Sequence, residues 1–386
     1  MFNAAIAAYR LEKFEVAQSN LVLSSSFLKD SIRKARMFLY LAQTQFRLKD
    51  YESSANSFET AIDNALEADN SELAGQILSV YASRLQERAS TAESSLKFTL
   101  LELSAKQRDK ASEYFSLNNL NVEAGTSLVL ASKTYQMIKN YEMAINKLEL
   151  ASELYLKDSD YNSAGRALFD VIDLYKHIPS IMNEDIVELS DRAKEVISKI
   201  SDESLRISLL AKLIREKTKI FETKKEFRLA IQNYEELYSH SLESPLTKEL
   251  LPVYLAYANL LFQVEHYKKS GDIFTQIAEY MKSIKDEERS KRVLKNANVS
   301  YKRAVNAFMS AASVSIHEDG NNEQKAYTYL VESVNLMENV IKTFLTSENE
   351  NKQWIEQWIN SFRNKILLLP ENLKQELESK INDLNV

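Results

Sequence analysis

Cysteine is absent from the 386 residues, which excludes disulfides, thiolate metal sites and cysteine nucleophiles. Glycine and proline are nearly absent, at five and four residues, so helix breakers are scarce and an almost wholly helical chain is expected. The glycines stand singly at Gly75, Gly125, Gly165, Gly271 and Gly320, which leaves no glycine-rich loop to cradle a phosphate. The four histidines, His177, His240, His266 and His317, each lack a second histidine or paired carboxylate at ligand spacing, so no metal site is expected. No serine stands in a nucleophile-elbow context. The carboxylates follow the pattern of solvated helix faces. No enzyme, cofactor or small-molecule substrate is therefore expected. No apolar run approaches the length that crosses a bilayer, and the start, Met1-Phe2-Asn3, has no basic lead of the kind a signal peptide carries. A soluble, cytoplasmic protein is expected. A net charge of -6 argues against a nucleic-acid binder that works by bulk positive charge.

What the chain does contain is one apolar pattern used again and again. Tyr141, Ala144, Leu148 and Ala151 place an aromatic at a turn, a small residue three places on, a large apolar residue four further and another small one after three. That spacing is one face of a helix, with small residues where a neighbouring helix must come close. The string returns as Tyr161, Ala164, Leu168, Val171, and also as Phe14, Ala17, Leu21, Ser24. Further copies are Tyr51, Ser54, Phe58, Ala61; Phe227, Ala230, Tyr234, Leu237; and Tyr267, Ser270, Phe274, Ile277. Repeats of this kind stack into a solenoid. With Phe38, Leu41 and Ala42, the Tyr51 copy fills seven positions that define a tetratricopeptide unit. The predicted fold is all-α: a right-handed α-solenoid of antiparallel helical hairpins, tetratricopeptide-like, over residues 1–285. A C-terminal helical bundle is expected to cap it over 286–386. The serine- and proline-rich stretch 239–252 is the expected hinge. Long helices are expected at 287–315 and 323–345, a charged loop at 347–352, a helix at 354–369 and a terminal helix from Pro370.

Surface pattern carries what remains of function. Lys285, Arg289, Arg292, Asn296 and Arg303 recur at spacings that line one helix face. Lys212, Arg215 and Lys219 do the same on an earlier helix. A basic stripe on a rigid rod suits an acidic helical or extended partner, while a solvated face neutralised by Asp286, Glu287 and Glu288 is the plainer alternative. Trp354 and Trp358, four apart, are expected to pack the core of the cap, with a partner hot spot as the sharper alternative. Lys133 with Asn140 could begin a peptide-binding groove.

Three segments resemble the soluble NSF attachment proteins, the SNAP family. One is the continuous register running from Ala131-Ser132-Lys133-Thr134-Tyr135 through Asn140-Tyr141-Glu142-Met143-Ala144 to Asp160-Tyr161-Asn162-Ser163-Ala164. The second is the tryptophan-bearing segment Gln353 to Ile366. The third is the tail Asn382-Asp383-Leu384-Asn385-Val386. The resemblance implies a non-enzymatic adaptor that lays a basic face on a SNARE-like coiled coil and offers its C-terminus to a hexameric AAA+ ATPase in vesicle trafficking. Under it, Lys212, Arg215, Lys285, Arg289 and Arg292 become coiled-coil contacts and Asp383 with Leu384 faces the ATPase. Phe27 and Leu28 become a membrane-touching loop, a peripheral contact. Two other readings stay open: a general tetratricopeptide scaffold holding an extended peptide or helix in its groove, and a peptide-sensing regulatory protein.

Overall fold

The computed structural model describes residues 1–180, 182–241, 246–317, 322–344 and 349–384. The described residues form eighteen α-helices and no strand. They cluster into two compact units, Met1–Leu209 and Leu210–Val386. The first holds α1 (Phe2–Arg10), α2 (Phe14–Ser25), α3 (Ser31–Arg47), α4 (Tyr51–Glu67) and α5 (Ser71–Ala89). It continues with α6 (Ser94–Leu117), α7 (Asn121–Met137), α8 (Tyr141–Lys157), α9 (Tyr161–Tyr175) and α10 (Asn183–Ser198). α11 (Glu203–Thr223) runs through the division. The second unit holds α12 (Phe227–Ser241), α13 (Leu251–Gln263), α14 (Tyr267–Ser283), α15 (Glu287–His317), α16 (Glu323–Phe344), α17 (Asn349–Ile366) and α18 (Glu371–Asn382).

One turn design joins most of these helices. Three residues separate the helix ends, and the middle one is left-handed: Glu12, Lys49, Asp69, Asn119, Lys139, Ser159, Lys225, Glu265 and Lys285 have φ between 52° and 67°. The third residue's N–H returns to a carbonyl five positions back, as in Asp50 to Gln45, Asp160 to Tyr155 and Asp286 to Met281, each at 2.9 Å. This satisfies carbonyls that a helix end would otherwise leave orphaned. Where that third residue is Asp or Asn it also caps the next helix, Asp50 accepting from Ser53 N–H and Asn140 from Met143 N–H at 3.2 Å. None of the nine left-handed positions is glycine. The helical glycines instead sit where a neighbour presses on the backbone: Gly75 under Phe115, Gly125 under Tyr155 and Gly271 under Tyr301.

Consecutive helices pack against each other from α1 through α10 and from α12 through α16, with α18 against both α16 and α17, and alternate helices also meet. Arg47 of α3 pairs with Glu87 of α5 at 2.9 Å, and Lys269 of α14 pairs with Glu235 of α12 at 2.6 Å. The repeat positions are the core: Ala17, Leu21, Phe58, Ala61, Ala144, Leu148, Ala164, Leu168, Ala230, Tyr234, Phe274 and Ile277 are all buried. The small residues act as expected at the hairpin crossings, where Ser54 Oγ donates to the Ala42 carbonyl and Ser270 Oγ to that of Ala258, both at 2.8 Å.

Of stretch 239–252, residues 242–245 lie outside the described residues; 246–250 are non-helical and Pro252 enters α13 in its first turn, where its missing N–H costs nothing. Of the charged loop expected at 347–352, residues 347–348 lie outside the described residues and 349–352 are corrected to helix, because α17 begins at Asn349; an acidic residue in a helix's first turn complements its dipole. Trp358 is buried, its indole N–H reaching Ser333 Oγ at 3.3 Å, with Phe362 packed against the ring. Trp354 is half-buried.

Candidate functional site: the basic face of helix α15

From Arg289 to His317 the sequence of α15 contains no acidic residue, while Arg289, Lys291, Arg292, Lys295, Lys302 and Arg303 are all cationic. Its two acids, Glu287 and Glu288, with Asp286 in the turn just before them, gather at the N-terminal end, where they complement the helix dipole. α15 packs on α14 and α16 through Val293, Ala297, Tyr301, Ala304 and Val305. Arg292, Lys295, Val299 and Arg303 recur at intervals of three and four and are exposed, so they share a continuous outer face.

Arg289, exposed, pairs with half-buried Asp286 at 3.5 Å, and Arg292 with Glu288 in a pair exposed on both sides, so their neutralisation is weak and salt-sensitive. Lys291, Lys295 and Arg303 have no ion-pair partner among the described residues. Lys302 Nζ stands 4.9 Å above the Trp354 ring, and Lys365 Nζ reaches Ser313 Oγ, so α17 runs beside α15 in the same direction. Tyr301, on the inner face, donates its hydroxyl to Asp272 Oδ1 at 2.8 Å. Burial, with Asp272 adding to it, raises its pKa.

The sequence-predicted residues divide as follows. Arg289, Arg292, Asn296 and Arg303 lie exposed on α15. Lys285 is exposed but belongs to the preceding turn, with φ 63°. Lys212, Arg215 and Lys219 are exposed on α11, with three helices intervening in the chain; Lys219 pairs with Glu216 at 2.9 Å. Phe27 is 72% exposed in the turn after α2, whereas Leu28 is half-buried against Ala5, Leu21, Met37 and Leu41. Asp383 caps the end of α18 and is exposed, but Leu384 is buried. Asn385 and Val386 lie outside the described residues. Lys291 and Lys295 were not picked out by spacing from Lys285. The acid-free run itself was the sequence signal that would have found them.

Elsewhere, a groove of about 390 Å³ opens beside the start of α14, floored by Ala304, Ala307 and Phe308. Its two lysines, Lys268 and Lys269, are engaged by Glu332 and Glu235. Among the described residues no group of three or more His, Asp or Glu could hold a metal ion. None of their helices is long and apolar enough to cross a membrane.

The described residues form tetratricopeptide-like helical repeats, an all-α solenoid class of fold. The family model described as soluble NSF attachment protein, SNAP, matches residues 100–262, under half of the chain, from within α6 to within α13; the match contains the first of the three resembling segments, Ala131 to Ala164, and neither Gln353 to Ile366 nor the tail. No curated protein matches the chain. Among solved structures, the apo form of RapI is similar at 15% identity, covering 78% of this chain and 96% of that one with a TM-score of 0.35. Aspartyl phosphate phosphatase F from Bacillus subtilis is similar at 14% identity, covering 73% and 74%, TM-score 0.35. NprR in complex with its cognate peptide NprX is similar at 12% identity, covering 93% and 97%, TM-score 0.31.

Proposed function

We propose that the chain is a non-enzymatic adaptor of the attachment-protein kind, whose α15 face lies along an acidic helical partner such as a SNARE-type coiled coil. The observation that carries this is the run of six cations without an acid on one long helix, three of them without an ion-pair partner among the described residues. The whole chain is acidic, so this face is a local exception to the prevailing charge. A rod of positive charge fits a rod of negative charge and gains on-rate and register from it. Support comes from the attachment-protein match over residues 100–262. In this reading residues 1–285 form the repeat array, 286–386 carry the partner face, and the strip Lys212, Arg215, Lys219 adds contacts. The exposed Asp383 end of α18 is the element offered to an AAA+ ATPase, and Phe27 touches the membrane surface, which makes the protein a cytoplasmic one with a peripheral contact in vesicle transport.

The test is binding to an assembled SNARE four-helix bundle across a salt series, comparing wild type with Lys295→Glu/Arg303→Glu. Reversing two exposed contacts removes about 2 kcal/mol, or roughly thirtyfold in affinity, and raising salt should weaken wild type in the same direction. Absence of wild-type binding at low salt refutes the reading and returns the protein to a general repeat scaffold with a peptide or helix in its groove.

A further inference from the structure

We propose that Arg108, at the seam of α5 and α6 in the first unit, is a binding site for a carboxylate delivered from outside the chain. Arg108 is 5% exposed. Its one hydrogen bond runs from Nη2 to Ser83 Oγ at 3.3 Å, and its Nε is sealed from solvent with no acceptor. No carboxylate among the described residues pairs with it. Burial acts on it unopposed and lowers its pKa. The guanidinium thus keeps its Nε–H, a donor shut off from solvent, without an acceptor, which costs desolvation free energy.

Its charged neighbours each face an opposite charge or a ring. Asp109, the next residue, takes Lys147 Nζ at 3.1 Å and the Tyr135 hydroxyl at 3.3 Å, both on Oδ2, while its buried Oδ1, like Arg84 Nε, has no hydrogen-bond partner. Arg47 and Arg84 share Glu87, and Arg88 lies 4.2 Å over the Tyr51 ring. Arg108 alone in this group lacks an anionic or aromatic partner.

The way in is marked by Ser83, which is exposed on α5 and gives its own proton to the Ser79 carbonyl at 2.9 Å. Its oxygen therefore accepts from Arg108 and holds the guanidinium tip at the surface end of the seam. The ligand is a carboxylate for reasons of charge and shape. A guanidinium edge takes the two oxygens of a carboxylate side by side. The first unit carries 30 acidic against 24 basic residues, whereas the second is balanced at 25 each; each carboxylate group brings one negative charge up to the guanidinium, where a phosphate dianion would bring two. A partner's Asp, Glu or C-terminus and a free dicarboxylate share this chemistry. The site is independent of the α15 reading and stands or falls separately.

The experiment uses the full chain with 15N-labelled arginine side chains, the Arg108 Nε–H signal being assigned by its loss in Arg108→Met. Sodium glutarate, N-acetyl hexaglutamate amide, sodium phosphate and sodium chloride are titrated in at equal ionic strength. A saturating shift of that signal with glutarate or hexaglutamate supports the site, and the arm that saturates at lower concentration identifies the source as free dicarboxylate or partner chain. If neither carboxylate moves the signal further than chloride, or phosphate saturates first, the proposal is overturned. Thermal melting supplies a second check. Arg108→Met, which replaces the buried charge with a side chain of similar length, should melt at or above wild type and lose any carboxylate-induced rise in Tm. An Arg108→Met chain that melts several degrees below wild type shows the guanidinium to be holding the helices together, and overturns the proposal.

Discussion

Gly271→Ala is the substitution for which the packing makes the sharpest forecast. A methyl on Gly271 would lie 2.7 Å from Tyr301 Cε1, 2.8 Å from Cδ1 and 3.0 Å from Cζ. Tyr301 has little room to give, since it is 4% exposed and its hydroxyl is tied to Asp272 Oδ1 at 2.8 Å and lies 3.3 Å from Thr275 Oγ1. Both tethers belong to the helix that carries the glycine, so the ring cannot retreat without stretching them. Overpacking of this kind costs about 1–3 kcal/mol, and weakening a hydrogen bond to a charged group adds roughly 1.5 kcal/mol. The better helix propensity of alanine returns about 1 kcal/mol. The net is a loss of about 2 kcal/mol, which in a unit of this size lowers Tm by roughly 4–8 °C. Gly165→Ala is the matched control. Its nearest neighbours are Ile197 Cγ1 at 3.1 Å and Ile200 Cδ1 at 3.3 Å, aliphatic atoms that can shift, so the propensity gain offsets the contact and Tm should stay within about 2 °C. Thermal melts followed by circular dichroism decide it. In a Tyr301→Leu background the Gly271→Ala penalty should shrink or change sign. A Gly271→Ala chain as stable as wild type would sink the argument that the glycine is there for the ring.

Two further outcomes follow from the turns and the tyrosines. Ser159→Gly, at a left-handed position with φ 59°, should stabilise the chain by about 0.5–1 kcal/mol in urea unfolding, because glycine relieves the Cβ strain at some cost in unfolded-state entropy; Ser163→Gly, inside α9, should destabilise by a similar amount. On the alkaline side, burial first and neighbouring carboxylate charge next push Tyr135 up to about 12, and burial does the same for Tyr257, also to about 12. Tyr234 and Tyr301 are raised as well, burial again leading. Their folded pKa values lie above the unfolded value of 10.0, so the native state holds protons that the unfolded chain releases, and stability present below pH 10 is lost as pH climbs towards 12. Tyrosinate absorbance should therefore rise together with loss of helical dichroism. Ionisation of these tyrosines with the helices intact would contradict their burial.

The helical hairpins were legible in the sequence because they are local. A spacing of three and four puts the aromatic, small and large residues of each copy on one face, and whether that face is buried depends only on there being a next helix. Hence Tyr141, Ala144, Leu148 and Ala151 could be placed before any coordinates, as could the close crossing at Ser54. Scarce glycine likewise announced continuous helices, yet it gave no hint that turns would use Lys49, Ser159 and Lys285 in the left-handed region, since a single residue's φ is fixed by the bond pattern closing around it. The α15 stripe was half legible. The cations and their periodicity are written in the chain, but only packing on α14 and α16 turned Lys295 and Arg303 outward and put Lys285 into a turn. At Leu384 the tertiary structure decided against exposure that a terminal position suggests, because an apolar side chain beside packed helices is buried by them. Arg108 was silent altogether. Its sequence neighbours make it one more surface cation of a helix, and its isolation exists only because α5 closes over α6 and supplies a serine where a carboxylate would have paired the charge.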